Sequence, residues 1–463
     1  MELEVLVTSG LGDNSFLVGS GGEAALIDPQ RDIARFVELA DARGFKISHA
    51  IETHVHNDYV SGAIELRQAT GAEIAAPAGG GYRFAHRPMA EGDEIPLGDV
   101  YLTAMATPGH TPEHLCYLLK ETESGRALAV FTGGSLMVGG AGRTDLVGPE
   151  LTDGLTRDQF RTLRRLAELP DDVQVFPTHG AGSFCGAGPA PKERSSTIGH
   201  ERRHNPAMAE PDEEAFVRRQ LSGLSAYPTY YRHMAEINRS GPSLLRDHPM
   251  PGGRSPQEVA DRLGSGAWVV DARWRVQFAR AHVPGSVNVE LDDTMASYVG
   301  WVVPFGEPLL LVLPEPVQES LEEAFTQLLR VGYEGVEGYL EGGIDGWRAQ
   351  DRPVASYRVA GLDELCRSYR AGTVGNLLDV RQRSEWDQGH VADSQHIFVG
   401  DLPDHLGEVP REKETWAICA TGYRASMAAS LLARDGSPVR LVDGTGVADF
   451  LAHCEPAREN LRP

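Results

Sequence analysis

Thr53-His54-Val55-His56-Asn57-Asp58 follows directly on the strand-like run HAIE (49–52). Two histidines at alternate positions and an aspartate two further on converge only if the chain bends at a strand end, because an extended strand spaces alternate residues roughly 6–7 Å apart. His110 lies in TPGHT (107–111) and His179 in FPTHG (176–180), each again just after a strand-like run. Four histidines and one aspartate at one edge of a layered fold make a ligand set for a first-row metal. Any one of them alone reads as a hydrogen-bonded core or surface residue. The set is what points to a metal.

Working outward, strands are expected at SFLVGS (15–20), AALIDP (24–29), AEIAAP (72–77), VYLTAMAT (100–107), LCYLLK (115–120), ALAVFTGG (127–134) and VQVFPTHG (173–180), from their apolar content and flanking turn signals. Helices are expected at DIARFVELADARGF (32–45) and LTRDQFRTLRRLAEL (155–169), the second capped by Thr156 or Asp158. This order fits sheets with helices packed outside, an α/β or αββα arrangement. From about Gly182 to Gly253 proline, glycine and charge are frequent, and residues 191–253 read as a connecting helical segment. Its cluster Tyr227, Tyr230 and Tyr231 reads as an interdomain packing anchor.

Two stretches of about a hundred residues then repeat one another. The first runs SPQEVADRLGSG (255–266), AWVVDARWRVQFARAHVPGSVNV (267–289), PLLLVLPEP (308–316); the second runs AGLDELCRSYRAG (360–372), NLLDVRQRSEWDQGHVADSQHI (376–397), TWAICATGYRA (415–425). Asp271, Arg273 and His282 correspond to Asp379, Arg381 and His390. Each repeat predicts parallel strands with crossover helices.

The length of 463 residues suggests about three domains. With 41% hydrophobic and 24% charged residues the chain is of the soluble globular type. A net charge of -23 excludes nucleic acid as a partner, since no basic patch offsets it. No membrane-length apolar run and no signal-peptide pattern occur, so a cytoplasmic location is expected. Five cysteines, an odd number spread along the chain, do not make a disulfide framework. Cys116, Cys366 and Cys454 read as small buried hydrophobes.

Cys419 is different. It ends the strand-like TWAI and opens a tight loop, Ala420-Thr421-Gly422-Tyr423, before Arg424 and a helix. Loop N–H groups and a helix N-terminus aimed at the sulfur favour a thiolate or persulfide there, and Arg424 adds a cation. The equivalent loop of the first repeat, Val312-Leu313-Pro314-Glu315-Pro316, has no cysteine, and its prolines lack N–H donors. Cys185, in the glycine-rich HGAGSFCG (179–186), is a candidate sulfur relay.

THVHND, TPGHT, VFTGG and PTHG together resemble the metallo-β-lactamase superfamily over about residues 1–190. The spelling THVHNDYVSG, PGHTPEHLCYLL and GGAGRTDLVG resembles its persulfide dioxygenase branch fused to rhodanese domains. Residues 254–355 and 356–463 resemble rhodanese domains, the first lacking the active cysteine and the second carrying it at Cys419. The resemblance implies His54 and His110 as the iron-binding histidines, with His56, Asp58 and His179 nearby, and a thiol pocket shaped by Arg143 and Asp145; His54, His56 and His110 are the expected metal set. It implies Fe(II), with zinc as the other candidate. Two positions depart from the pattern: Gly134 stands where the family's metal-binding aspartate belongs, and Tyr59 where a further histidine is usual. Three arrangements stay open: a neutral three-histidine site, a carboxylate supplied by Asp58 or Asp145, and a weak or empty site.

The function expected from this resemblance is oxidation of a small-molecule thiol persulfide by O2 to sulfite, with sulfane sulfur passed through Cys419 to give thiosulfate. One alternative is a sulfurtransferase whose metal domain only binds. A second is a thioester hydrolase of the glyoxalase II kind. Thiol persulfide, O2 and sulfite are the expected partners, nucleic acid and membrane are not, and a homodimer stays open.

Overall fold

The computed structural model describes residues 1–188 and 191–454; positions 189–190 and 455–463, which close the segments read as 1–190 and 356–463, lie outside the described residues. The described residues form two compact units, one within 1–249 with 329–332 and the other within 250–328 with 333–454.

In the first unit, strands β1 (Glu2–Thr8), β2 (Asp13–Ser20), β3 (Glu23–Ile27), β4 (Lys46–Ile51), β5 (Glu73–Pro77) and β6 (Arg87–Met89) form one sheet in sequence order. β1, β2 and β3 pair antiparallel, and β3 through β6 pair parallel. The second sheet contains β7 (Glu94–Leu97), β8 (Val100–Ala106), β9 (Leu115–Glu121) and β10 (Ala127–Gly133). A short hairpin of β11 (Leu136–Met137) and β12 (Gly140–Ala141) precedes β13 (Gln174–Pro177) and β14 (Ser196–Thr197), which extend that sheet beside β10.

Alternation of apolar residues along the strands explains the layering. Phe16, Val18 and Ile27 of the first sheet meet Ile95, Leu119, Phe131 and Phe176 of the second in one fully desolvated core. Outside the first sheet, Phe36 and Leu66 bring down the helices Ala34–Ala42 and Ala63–Thr70. Outside the second, Leu163, Leu166 and Phe216 do the same for Pro149–Leu166 and Glu213–Ser222. The result is an αββα sandwich. Helix Pro149–Leu166 starts earlier than its apolar pattern predicts, with Gly148 at the N-cap and Pro149 in the first turn. Thr156 is therefore interior, its hydroxyl bonded to the Thr152 carbonyl at 2.7 Å, and is not a cap.

The second unit holds two five-stranded sheets whose pairings are all parallel. The first contains β15 (Gly253–Arg254), β16 (Trp268–Asp271), β17 (Val287–Asn288), β18 (Leu309–Val312) and β19 (Val336–Leu340) in the order β15-β19-β18-β16-β17. The second contains β20 (Arg358–Ala360), β21 (Asn376–Asp379), β22 (Gln395–His396), β23 (Thr415–Ile418) and β24 (Val439–Val442) in the equivalent order β20-β24-β23-β21-β22. The sequence landmarks of the repeat turn out to be structural. Arg273 clasps Asp271 and donates to the Ala281 carbonyl, and Arg381 clasps Asp379 and donates to the Gly389 carbonyl. His282 stacks on Phe278 at 3.9 Å and His390 on Trp386 at 3.8 Å.

One cysteine expectation is corrected. Cys366 and Cys454 are buried, as read, but they are bonded to each other with Cα atoms 5.1 Å apart, within the usual span of a disulfide. The bond ties helix Leu362–Arg370 to the end of helix Val447–His453. Cys116, Cys185 and Cys419 are free and buried. No helix among the described residues is long and apolar enough to cross a membrane.

Candidate metal centre and the Cys419 loop

Strand ends assemble the first site. Asp28 follows β3, Glu52 to Asp58 follow β4, His110 and His114 lie between β8 and β9, Gly134 follows β10 and His179 follows β13. All the histidines and carboxylates here are at most 1% exposed. Buried polar groups at such density must be partnered by protein, water or metal.

The rings of His54, His110 and His179 face one another with centroids 4.9 to 5.4 Å apart. Each is held through Nδ1 so that Nε2 points inward: His54 by the Thr53 hydroxyl at 2.8 Å, His110 by the Arg143 carbonyl at 2.7 Å, and His179 by Asp13 at 2.8 Å and Asp58 at 3.1 Å. Nε2 of His54 and His179 are 3.4 Å apart, and Nε2 of His110 has no partner. Anchoring one ring nitrogen while the other faces a shared point is how proteins orient metal-binding histidines. His56 Nδ1 and Asp58 Oδ1 are also buried without partners. His54, His110 and His179 form one set with ligand atoms close enough for an ion, and His56, Asp58 and His179 form another. This donor set fits a divalent metal.

Charge follows the same pattern. Burial drives His110 down to about 3, and the His179 charge adds to that. Burial, then the neighbouring imidazoles, also hold His54 well below its usual range. For His179 burial opposes the charge, but the Asp58 and Asp13 carboxylates raise it to about 10. Asp58 is correspondingly held low against burial, and Asp13 is raised to about 7 by burial and by Asp58. His54 and His110 therefore present lone pairs at neutral pH.

His56 occupies a second nest. Its Nε2 lies 3.1 Å from Asp28, 3.2 Å from Glu52 and 3.0 Å from the Tyr59 hydroxyl, leaving only Nδ1 for a ligand. Asp28, at φ 51°, also accepts from the Thr53 amide and hydroxyl, both at 2.8 Å, and from Thr178. Asp13, Asp28, Glu52 and His114 were missed from sequence. Asp28 ends AALID, where an acid after an apolar strand was the available signal.

Gly134 is explained by His110. A Cβ on Gly134 would lie 2.1 Å from His110 Cδ2 and 2.5 Å from its Nε2, so the imidazole fills the space a larger residue would need. The Gly134 amide donates to His114 Nε2 at 3.1 Å. Of the two replacement carboxylates considered, Asp58 is in the site, whereas Asp145 is tied to Arg143 at 2.7 and 2.8 Å.

Arg143 itself is 1% exposed and also bonds the Phe184 and Ser225 carbonyls, with Tyr227 stacked 4.5 Å from its guanidinium. Arg143 and Asp145, expected to shape a thiol pocket, thus pair with each other, Arg143 buried and Asp145 half-buried. Of the tyrosine cluster, Tyr230 donates to the Asp58 carbonyl at 3.0 Å and so backs the metal edge. Cys185, the candidate sulfur relay, lies at this edge: its thiol is buried and donates to Asp58 Oδ2 at 3.4 Å, and burial, then Asp58, push it well up. Residues next to the ligands in sequence, Val55, Asn57 and Thr111, line a cavity of about 200 Å³ together with Glu113, Arg232 and Arg239.

In the second unit, Cys419 follows β23 and helix Tyr423–Arg434 follows the loop. Gly422, at φ 110°, turns its amide onto the Cys419 sulfur at 3.2 Å. A side chain there would collide with Asp443 at 2.3 Å, so only glycine fits. Arg424, the cation expected beside the loop, is held by Glu385 with two hydrogen bonds, one at 2.8 Å.

A buried histidine edge on an αββα sandwich, followed by two parallel-sheet repeats, defines the class. The metallo-β-lactamase superfamily model matches residues 9–179, and the rhodanese-like domain model matches 255–350 and 362–452. Among relatives, a hydroxyacylglutathione hydrolase of Cereibacter sphaeroides is 35% identical over 39% of this chain and 67% of its own. One of Methylobacillus flagellatus is 30% identical over 46% and 76%. The chain belongs to the metallo-β-lactamase superfamily and, through its N-terminal part, to the family of these hydrolases. A solved metallo-β-lactamase from Staphylococcus aureus matches with a TM-score of 0.66 and 27% identity over 73% of this chain and 98% of its own. The expectation of a persulfide dioxygenase with thiosulfate-forming transfer is overturned by these relatives, which at 30–35% identity are hydroxyacylglutathione hydrolases. The chain is an enzyme by this kinship, and its kinship is to the hydrolase considered as the second alternative.

Proposed function

We propose that the N-terminal unit is a metal-dependent thioester hydrolase acting on an S-acyl derivative of a small thiol, with S-(2-hydroxyacyl)glutathione as its model substrate. The observation that carries this is the inward set of Nε2 atoms on His54, His110 and His179, with His110 Nε2 buried and unpartnered. Those three would hold Zn2+ or Fe2+, with His56 Nδ1 as a further donor. Such an ion supplies Lewis acidity and lowers the pKa of water, so three histidines with open positions suffice for hydrolysis.

The chain's own groups do the rest. Asp58 is ionised and keeps Oδ1 free, so it accepts the proton of the attacking water at that atom. Asp13 and Tyr230 fix Asp58 and its neighbour His179 from behind. Water adds to the acyl carbon, the C–S bond breaks, and the thiol leaves with a proton. The test is hydrolysis of S-(2-hydroxyacyl)glutathione by the metal-loaded full chain, with O2 monitored. Hydrolysis without O2 uptake, lost in His110→Ala, is expected; an untouched thioester contradicts the proposal.

A second reading concerns Cys419, and the Gly422 amide on its sulfur favours it. A donated hydrogen bond stabilises a thiolate or the inner sulfur of a persulfide, so Cys419 serves as a sulfur carrier. Gain of one sulfur atom at Cys419, seen by mass spectrometry after exposure to a persulfide and absent in Cys419→Ser, tests it.

A further inference from the structure

The Cys419 loop has a charge balance that sulfur carriage does not by itself require. Its only cation, Arg424, is neutralised by Glu385 on helix Arg383–Gln388. Burial works against the Glu385 charge, but Arg424 more than offsets it and holds the carboxyl below its usual range, so the pair is ionised at neutral pH. Another nearby cation, Arg275 of the first repeat, is spent on Glu290 at 2.8 and 2.9 Å and on Asp443, the residue packed against Gly422. Asp292 accepts from the Tyr423 hydroxyl at 3.2 Å. Arg381, whose charge also reaches Glu385, is spent on Asp379, so among the described residues each of these three arginines is already paired with a carboxylate. The loop tip, Ala420 and Thr421, is exposed and uncharged. Beside it Tyr298 and Tyr423 meet edge to face with centroids 5.1 Å apart, a surface suited to a neutral organic stem.

Building on the reading of Cys419 as a sulfur carrier, we propose that Glu385 selects the donor: by pairing Arg424 it leaves the loop no spare cation among the described residues, so the donor is a thiol persulfide and not a dianion such as thiosulfate. In the transfer, the Cys419 thiolate attacks the outer sulfur of R–S–SH. The donor S–S bond breaks with its electron pair on RS⁻, and a new S–S bond forms at Cys419, giving Cys419–S–SH. No oxidant or reductant enters. Glu385 is a positioning residue here, because it acts on the anion through Arg424.

The experiment loads the full chain from thiosulfate and, separately, from the persulfide of 2-mercaptoethanol, reading sulfur on Cys419 by intact mass against time. Wild type is expected to load at least roughly tenfold more efficiently from the persulfide, since one unit charge near a bound anion is worth that much or more at a partly buried site. Glu385→Gln should shift the ratio about tenfold toward thiosulfate, and Glu385→Asp should restore it. Equal loading of wild type from both donors, or an unchanged ratio in Glu385→Gln, overturns donor selection while sulfur carriage stands. No loading from either donor overturns the carrier reading beneath it. Should Glu385→Gln fail to fold, Thr421→Lys on the exposed tip supplies a spare cation with Glu385 in place, and the same shift is expected.

Discussion

Replacing Gly134 by alanine probes the arrangement that distinguishes this metal edge. The added Cβ lands 2.1 Å from His110 Cδ2 and 2.5 Å from Nε2, far inside contact distance, so the imidazole must leave its place. Gly134 has no left-handed φ, so alanine suffers from the contact alone. Moving His110 breaks its 2.7 Å bond to the Arg143 carbonyl and overpacks a fully buried site. A lost buried hydrogen bond of about 1 kcal/mol and overpacking of ~1–3 kcal/mol place the cost at about 2–4 kcal/mol. Thermal unfolding of the metal-free protein should show the transition of the first unit lowered by roughly 2–4 °C for each kcal/mol. Metal affinity should fall ~10–100-fold, as when a ligand loses its orienting contacts. A metal-free Gly134→Ala protein that melts with wild type would refute the placement of His110 in that space.

Other consequences follow from buried pairs. Asp28→Asn removes the carboxylate facing His56 and should destabilise the first unit by ~3–5 kcal/mol in denaturant titration, because the imidazolium stays buried and half-paired. Titration of the unfolded, unreduced chain should find three free thiols, and Cys454→Ser should lower stability by up to about 4–5 kcal/mol, the loop-entropy limit for a cross-link spanning 88 residues. Glu385 has a folded pKa below its unfolded one, so its pairing with Arg424 stabilises the second unit above the ordinary carboxylate range and is lost as pH falls through the folded value. Acid unfolding of Glu385→Gln should accordingly be less steep than that of wild type, followed by circular dichroism.

The sandwich and the repeats were legible because their signals are local. THVHND, TPGHT and PTHG each follow an apolar run that ends a strand, and the Asp-x-Arg and histidine landmarks recur at matched spacing in both repeats. What sequence could not show depends on pairings across the fold. Asp28 and Glu52 read as the ends of strands, and only their approach to His56 gives them a role. Glu385 neutralises Arg424 from 39 positions away, and Cys366 meets Cys454 across a whole domain. Gly134 reads as a missing ligand, and only the fold shows that His110 takes the space a side chain there would need. The reaction was misread for a related reason: histidines that gather a metal serve hydrolysis and oxygen chemistry alike, so their spelling does not separate the two.

The central claim is tested most directly by titrating metal-free protein with Zn2+ or Fe2+ under anaerobic conditions and following hydrolysis of S-(2-hydroxyacyl)glutathione. The account predicts a rate that rises with bound metal, saturates once the His54, His110 and His179 site is filled, and needs no O2. Metal that binds without any thioester cleavage would contradict it.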